Sequence, residues 1–555
     1  MNEVTRELFK KLRIDIEKFF TTDEYSRIYD ISREDANSEI ETLTDMRNKA
    51  RGNYRAREYV INTYSKIASS QIFERRDKEN NPIVDVNNFI DYENVLSNSP
   101  DIIFEILLDV YDVSEIIDKY ALKDEISSND INNIAKNELN VINKHFSNVN
   151  KRIFLIAKII YSQSYGQDCI DTLQYHKVND IGFTRSDYIY ITYKTNKIHL
   201  EFLSFPNIEI AYNIQRKNTD KSKISYNQEN VSIVTSKENS ARIAVSGFDS
   251  IPDQEAFYNE RIFSLKKISL EEQRVKYNTI NELMEEFITI SAEGRFNYLV
   301  TGADMTIGKS TMLLSILEKY PNRWAIGILD PQNEMQAEKK FKKKNIMTFI
   351  KNIKENIQEQ FQHMLKFSRD IILISEVTGY EEASSMIDVS LSLNAGIGAT
   401  MHIYSPYQVV PKLRNFLLRS NTYKDKDTAE QDISKALDLI LHMSKPKNGK
   451  GRIVMESIYE IIDLERDQSI KPNFNGTFRE KLTNLIDMFQ LLIHKTLVNQ
   501  NYIMKPIFEY DKETDKWIVK NLPSKQYLEK LALHADEDKL NKLIEKFKQA
   551  IDQQG

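Results

Sequence analysis

The pattern of apolar and polar positions divides the chain into stretches of different period. To about residue 150 a polar text rich in Asn, Asp and Glu carries apolar residues at helical spacing, as in Ile102, Ile103, Ile106, Leu107 and Val110. That spacing predicts a helical extension, read as a packing or docking module because no chemical motif falls within it. From roughly 150 to 265 the period shortens to two, as in DYIYITYK (187–194) and KIHLEFLSF (197–205), so strands of a small α/β domain are expected. Helical spacing returns over 270–295. From 296 onward short apolar runs alternate with helical segments, the rhythm of a parallel sheet with crossover helices. An amphipathic stretch at 479–497 then precedes a strand-like run at 503–511 and a charged helical tail. The expected fold is α/β, with domains at 1–150, 151–280, 281–465 and 466–555.

Composition narrows the classes of function. The lone cysteine, Cys169, cannot form an intrachain disulfide, which fits a reducing cytosol. The first residues lack the apolar centre of a signal peptide, and IFLIAKIIY (153–161) is broken by Lys158 and shorter than the roughly 18 apolar residues of a span. A cytoplasmic protein without membrane insertion is expected. The net charge of −6 repels nucleic acid on average, so no nucleic-acid partner is expected and a DNA-translocating motor is the lesser alternative. The basic cluster from Lys339 to Lys344 reads as a solvated helix face.

Glycines are scarce overall but crowd into the region that includes Gly302, Gly308, Gly379, Gly396 and Gly398. There the segment FNYLVTGADMTIGKSTMLLSILEKY predicts a strand at 296–300, a loop, and a helix opening near Lys309. A strand that feeds a helix through such a loop aims several backbone N–H groups, and the helix dipole, at one spot suited to an anion. Gly302, Ala303, Asp304, Met305, Thr306, Ile307, Gly308, Lys309, Ser310 and Thr311 are the candidate residues for binding a nucleotide triphosphate. Lys309 would reach the β- and γ-phosphates and the Ser310 hydroxyl would ligate Mg²⁺. The G-x-x-x-x-G-K-[ST] pattern is departed from in one place: its first glycine falls on Ala303, with Gly302 one position early.

Further strands end in polar residues. RDIILISEVTG (369–379) carries Glu376 just beyond a buried-type strand, where a carboxylate could hold Mg²⁺ or the attacking water. AIGILDPQNEM (325–335) ends in Asp330 and Glu334, either of which could orient and deprotonate water. LNAGIGATMHIYSP (393–406) places His402 after another short strand, as a candidate sensor of the γ-phosphate.

In that order and spacing the chain resembles the secretion ATPase superfamily of type II secretion, type IV pili and type IV secretion, most closely its Tad/Flp pilus (CpaF-like) branch. The resemblance covers roughly 175–465, and includes ENSARIAV (238–245), NERIF (259–263), ISLEE (268–272) and the segment 429–461. It implies a RecA-like P-loop motor domain preceded by a smaller α/β domain and an N-terminal helical extension. It also implies a homo-hexamer that hydrolyses ATP with Mg²⁺ and acts on a polytopic inner-membrane platform protein, at the inner face of the cell membrane. Ser310 and Glu376 would serve the metal, Glu376 as the Walker B carboxylate. Asp330 or Glu334 would be the catalytic acid, and Arg242 and Arg261 would neutralise charge on the transferred phosphoryl group. Thr378 stands where the family usually has arginine, and Leu329, Asp330 and Pro331 stand where it usually has glutamate and aspartate together. Ala303 and Thr378 motivate a second reading, a nucleotide-binding scaffold of the same machine that has lost hydrolysis.

Overall fold

The computed structural model describes residues 3–50, 53–89, 99–194, 196–222, 224–237, 241–262, 267–304, 307–350, 357–392, 396–420, 423–446, 452–464, 476–493 and 500–553. It divides into two compact units, Met1–Ser264 and Leu265–Gly555.

In the first unit the helices Glu3–Glu17, Tyr54–Ala68, Pro100–Val110, Ser128–Phe146 and Val149–Ser164 share one core with a sheet. That core runs without a break from Phe9 through Ile156 to Tyr258. Pro100 occupies the first turn of its helix, where the missing N–H costs nothing, and the helix buries the predicted face of Ile102, Ile103, Ile106 and Leu107. Lys158, which interrupts the most apolar run, is buried and lies 3.2 Å from Glu105 and 3.1 Å from Asp109. The strands are β1 (Glu125–Ile126), β2 (Asp180–Arg185), β3 (Tyr188–Tyr193), β4 (Asn196–Leu200), β5 (Ser232–Ser236), β6 (Arg242–Ser246) and β7 (Phe257–Arg261). Their order is β1-β4-β3-β2-β7-β6-β5, antiparallel except for the β1–β4 pair.

The second unit contains β8 (Tyr298–Gly302), β9 (Ala325–Leu329), β10 (Asn345–Phe349), β11 (Ile371–Ile374), β12 (Gly396–His402), β13 (Leu439–Ser444), β14 (Val454–Asp463), β15 (Tyr502–Asp511) and β16 (Lys516–Val519). They form one sheet in the order β10-β9-β11-β12-β8-β13-β14-β15-β16, parallel from β10 to β13 and antiparallel beyond. Both faces are covered. Ile371 and Leu373 point into one core with the helices Glu282–Glu293 and Lys309–Lys319, whereas Ile372 and Ile374 point into another with the helices Tyr380–Ser392 and Val409–Arg419. That division explains why β11 reads as an uninterrupted apolar run. It also places the ends of β8, β9, β11 and β12 along one edge, where an open parallel sheet presents its ligand crevice.

The basic cluster departs from the sequence expectation. Phe341 is buried, and it draws Lys340 and Lys344 inward, where their ammonium groups donate to the carbonyls of Met335 and Tyr320. Burial pushes the pKa of both lysines down, so only part of the cluster is a solvated face.

Candidate functional site

β8 is fully buried and central, so its last residue and the turn that follows are held from below by the sheet. Gly302 is fixed by crowding: a Cβ there would lie 2.8 Å from Ile307 Cγ2 and 2.8 Å from the Met443 carbonyl oxygen. Gly308 has φ +83°, the left-handed region that favours glycine, and from it the helix Lys309–Lys319 begins without a side-chain cap. The first amides of that helix therefore have neither an intrahelical acceptor nor a capping side chain. Between the two glycines, Met305 and Thr306 lie outside the described residues.

Lys309 is 95 % buried, its side chain turned back across the loop. Its Nζ donates to the Asp304 carbonyl at 3.0 Å and lies 3.2 Å from His402 Nδ1. Neither of these two partners is a carboxylate. Burial pushes the ammonium down to about 8, against smaller opposing effects from the charges of Glu376 and Asp304.

His402 ends β12 directly beside Gly302 of β8, and this register brings the ring over the loop. Its Nδ1 also lies 3.3 Å from the Ala303 carbonyl oxygen, and its Nε2 lies 3.4 Å from Glu376 Oε1. With an ammonium facing Nδ1, that nitrogen is the acceptor and the ring proton sits on Nε2, toward Glu376. The structure thus brings Lys309, His402 and Glu376 into one line of contacts. Ser310 and Thr311 follow in the first helical turn, both half-buried.

Asp330 and Glu334 sit further along the same edge, with β11 and β12 between β9 and β8. At a strand spacing of about 4.8 Å this puts the end of β9 roughly 14 Å from β8. Asp330 is fully buried; its Oδ2 accepts from the Met335 amide at 2.7 Å, while Oδ1 has no hydrogen-bond partner among the described residues. Burial raises its pKa. Glu334 is half-buried in the turn that Asp330 closes.

Arg242 and Arg261 belong to the first unit. They face one another across β6 and β7, and Arg261 in turn faces Asp180 of β2, to which its Nε donates at 2.9 Å. Thr378 makes a local contact: its hydroxyl donates to Glu382 at 3.2 Å, and the Gly379 amide donates to the same carboxylate at 3.1 Å, closing the entry to the helix Tyr380–Ser392.

A second histidine, missed by the sequence reading, adjoins the loop strand. His442 of β13 lies opposite Thr301 of β8, with Nδ1 2.8 Å from the Thr301 hydroxyl, and burial lowers its pKa. Beside it opens a cleft of about 590 Å³ lined by Ala303, Asp304, Ile307, Tyr404, Tyr407 and Tyr459 among others. Its aromatic walls adjoin the loop, a combination suited to a planar ring attached to a phosphate chain.

No protein-family model matches the chain, and no curated protein sequence matches it. Solved structures do. The VirB11 ATPase from the Brucella suis type IV secretion system aligns at 12% identity and a TM-score of 0.29, over 51% of this chain and 89% of that one. The Legionella pneumophila ATPase DotB aligns at 14% identity and a TM-score of 0.40, over 58% of this chain and 87% of that one. The pilus retraction motor PilT with bound ADP aligns at 13% identity and a TM-score of 0.38, over 59% and 90% respectively.

Proposed function

We propose that the second unit is a RecA-like P-loop ATPase domain and that the chain hydrolyses ATP as the motor of a pilus or secretion machine. The observation that carries this reading is the Lys309 ammonium, buried beside uncapped helix amides and hydrogen-bonded, among the described residues, to a carbonyl and an imidazole rather than to a carboxylate. A polyphosphate supplies negative charge in direct contact, beyond the weaker effects of Glu376 and Asp304. Ser310 and Glu376 offer a hydroxyl and a carboxylate, hard oxygen donors that fit Mg²⁺. The ion would neutralise charge on the phosphates as the bond to the γ-phosphoryl group breaks.

The chain's own residues divide the remaining work. Lys309 holds the β- and γ-phosphates; His402 fixes the lysine and, through Nε2–H, the Glu376 carboxylate. Asp330 or Glu334 takes the proton of the attacking water, and the raised pKa of Asp330 suits that role. Arg242 and Arg261 are assigned to the developing phosphoryl charge by sequence resemblance alone. The same resemblance supports a homo-hexamer, a Tad-type pilus and a polytopic membrane platform protein as partner. The decisive experiment is phosphate release by the purified chain with ATP and Mg²⁺: Lys309→Ala is expected to abolish it, and release unaffected by that substitution would overturn the reading.

The second reading, a scaffold that binds nucleotide without turnover, is favoured by the local use of Thr378 as a contact for Glu382. Tight nucleotide binding with hydrolysis at the uncatalysed level would select it.

A further inference from the structure

We propose that the helix Phe478–Ile493 is a docking element for an anionic lipid surface. It lies in the connection between β14 and β15, strands that pair with each other directly, so the sheet does not need it. Thr477 and Glu480 start it locally: the Thr477 amide donates to Glu480 at 2.7 Å and the Glu480 amide donates back to the Thr477 hydroxyl at 3.4 Å.

Six of its apolar side chains are exposed. Phe478 is 82 % exposed and Phe489 58 %, and Leu482, Leu485, Ile486 and Ile493 are exposed as well. At 3.6 residues per turn these positions fall within one arc of about 100°. A contiguous stripe of this kind marks an interaction surface rather than the scattered apolar residues normal on any protein.

The charges select the occupant. Arg479 and Lys481, both exposed, project from the two margins of the stripe, where long basic side chains can reach phosphate headgroups while the stripe enters the acyl boundary. The exposed Glu480 projects from the opposite side, away from such a surface. Among the described residues no helix is long and apolar enough to cross a membrane, so this one would lie along the surface. A second copy of the chain fits less well, because sixteen residues fall short of the roughly 20–30 residues a side of a stable protein interface. The proposal does not depend on nucleotide hydrolysis.

Flotation of the full chain with vesicles tests it. Vesicles of phosphatidylcholine with phosphatidylglycerol are expected to carry the protein, and phosphatidylcholine alone to bind it roughly tenfold more weakly or worse. The double variant Leu485→Asp/Phe489→Asp should lose flotation while its urea unfolding curve is unchanged, since both positions are exposed. Arg479→Gln/Lys481→Gln should lose the preference for anionic vesicles. Absence of flotation by the wild-type chain, or flotation undiminished in the aspartate variant, would overturn the proposal. So would a wild-type dimer that the aspartate variant dissolves and that ignores vesicles, because a second copy would then be the occupant.

Discussion

Lys309 Nζ and His402 Nδ1 lie 3.2 Å apart, so the last residue of β12 holds the side chain that opens the helix after β8. His402 reaches Glu376 with its other nitrogen, at 3.4 Å.

The depressed Lys309 pKa gives nucleotide affinity a pH dependence of definite sign. Below about 8 the ammonium is already charged and contributes no slope. Above it, phosphate binding must recapture a proton, so affinity should fall with pH, by up to about tenfold per unit. Titration of a fluorescent ATP analogue between neutral and alkaline pH measures this. Lys309→Arg, which stays charged, should flatten the curve; an equally steep curve in that variant would assign the slope to another group.

Gly302→Ala should destabilise the second unit by about 1–3 kcal/mol, because its Cβ would press on the backbone oxygen of Met443, which cannot rotate away. Gly379→Ala is the control. Its Cβ would meet only the Glu382 carboxylate, at 3.3 Å, and should cost less. Urea unfolding followed by tryptophan fluorescence is suited to the comparison, since Trp324 and Trp517, the chain's two tryptophans, both lie in this unit.

Much of this unit is legible from local pattern. A strand was expected at 296–300 and β8 spans Tyr298–Gly302; the helix opens at Lys309 itself; β11 covers the four apolar residues from Ile371 to Ile374. Those features depend on period and on glycine placement, which neighbouring residues determine. What the pattern does not carry is lateral order in the sheet. His442 meets Thr301 across 141 residues of sequence, and no local signal distinguishes it from a histidine in any other buried strand. The basic cluster is legible only in part for a related reason: the burial of Phe341 within it, beside the half-buried Lys340 and Lys344, is a tertiary event. Likewise the helical spacing before residue 150 reveals a buried face but not that its partner is the sheet of β1 to β7.

Glu376→Gln should separate binding from turnover. The amide keeps the shape of the side chain but removes the charge opposite His402 Nε2, so hydrolysis should fall roughly a hundredfold or more while nucleotide still binds. Single-turnover phosphate release alongside equilibrium binding gives both quantities. Equal losses in the two would point to a structural role for the carboxylate.

In the first unit, Lys237 Nζ lies 2.7 Å from both carboxylate oxygens of Glu260, and both side chains are almost fully buried. Lys237→Met leaves Glu260 with donors from the Tyr258 hydroxyl, at 2.8 Å, and the Gln167 amide, at 3.4 Å, but no matching charge, and should cost about 3–5 kcal/mol. Lys237→Met/Glu260→Gln removes the stranded charge and should recover part of that loss, as read from urea midpoints by circular dichroism.

Lys309→Met makes the sharpest test of what the buried ammonium is for. In the nucleotide-free chain its pKa is below the ordinary lysine value, so the unfolded state binds more protons between about 8 and 10.5. Stability therefore rises with pH across that window, and below it the full cost of the buried charge is present. Replacing the ammonium by a thioether of similar length removes that cost, and the variant should be more stable than wild type at neutral pH by roughly 1–3 kcal/mol. Nucleotide binding should be lost in the same variant. Excess ATP with Mg²⁺ should then raise the wild-type unfolding midpoint and leave that of Lys309→Met unmoved. A residue retained for packing alone would show the opposite, a less stable variant that still responds to ATP.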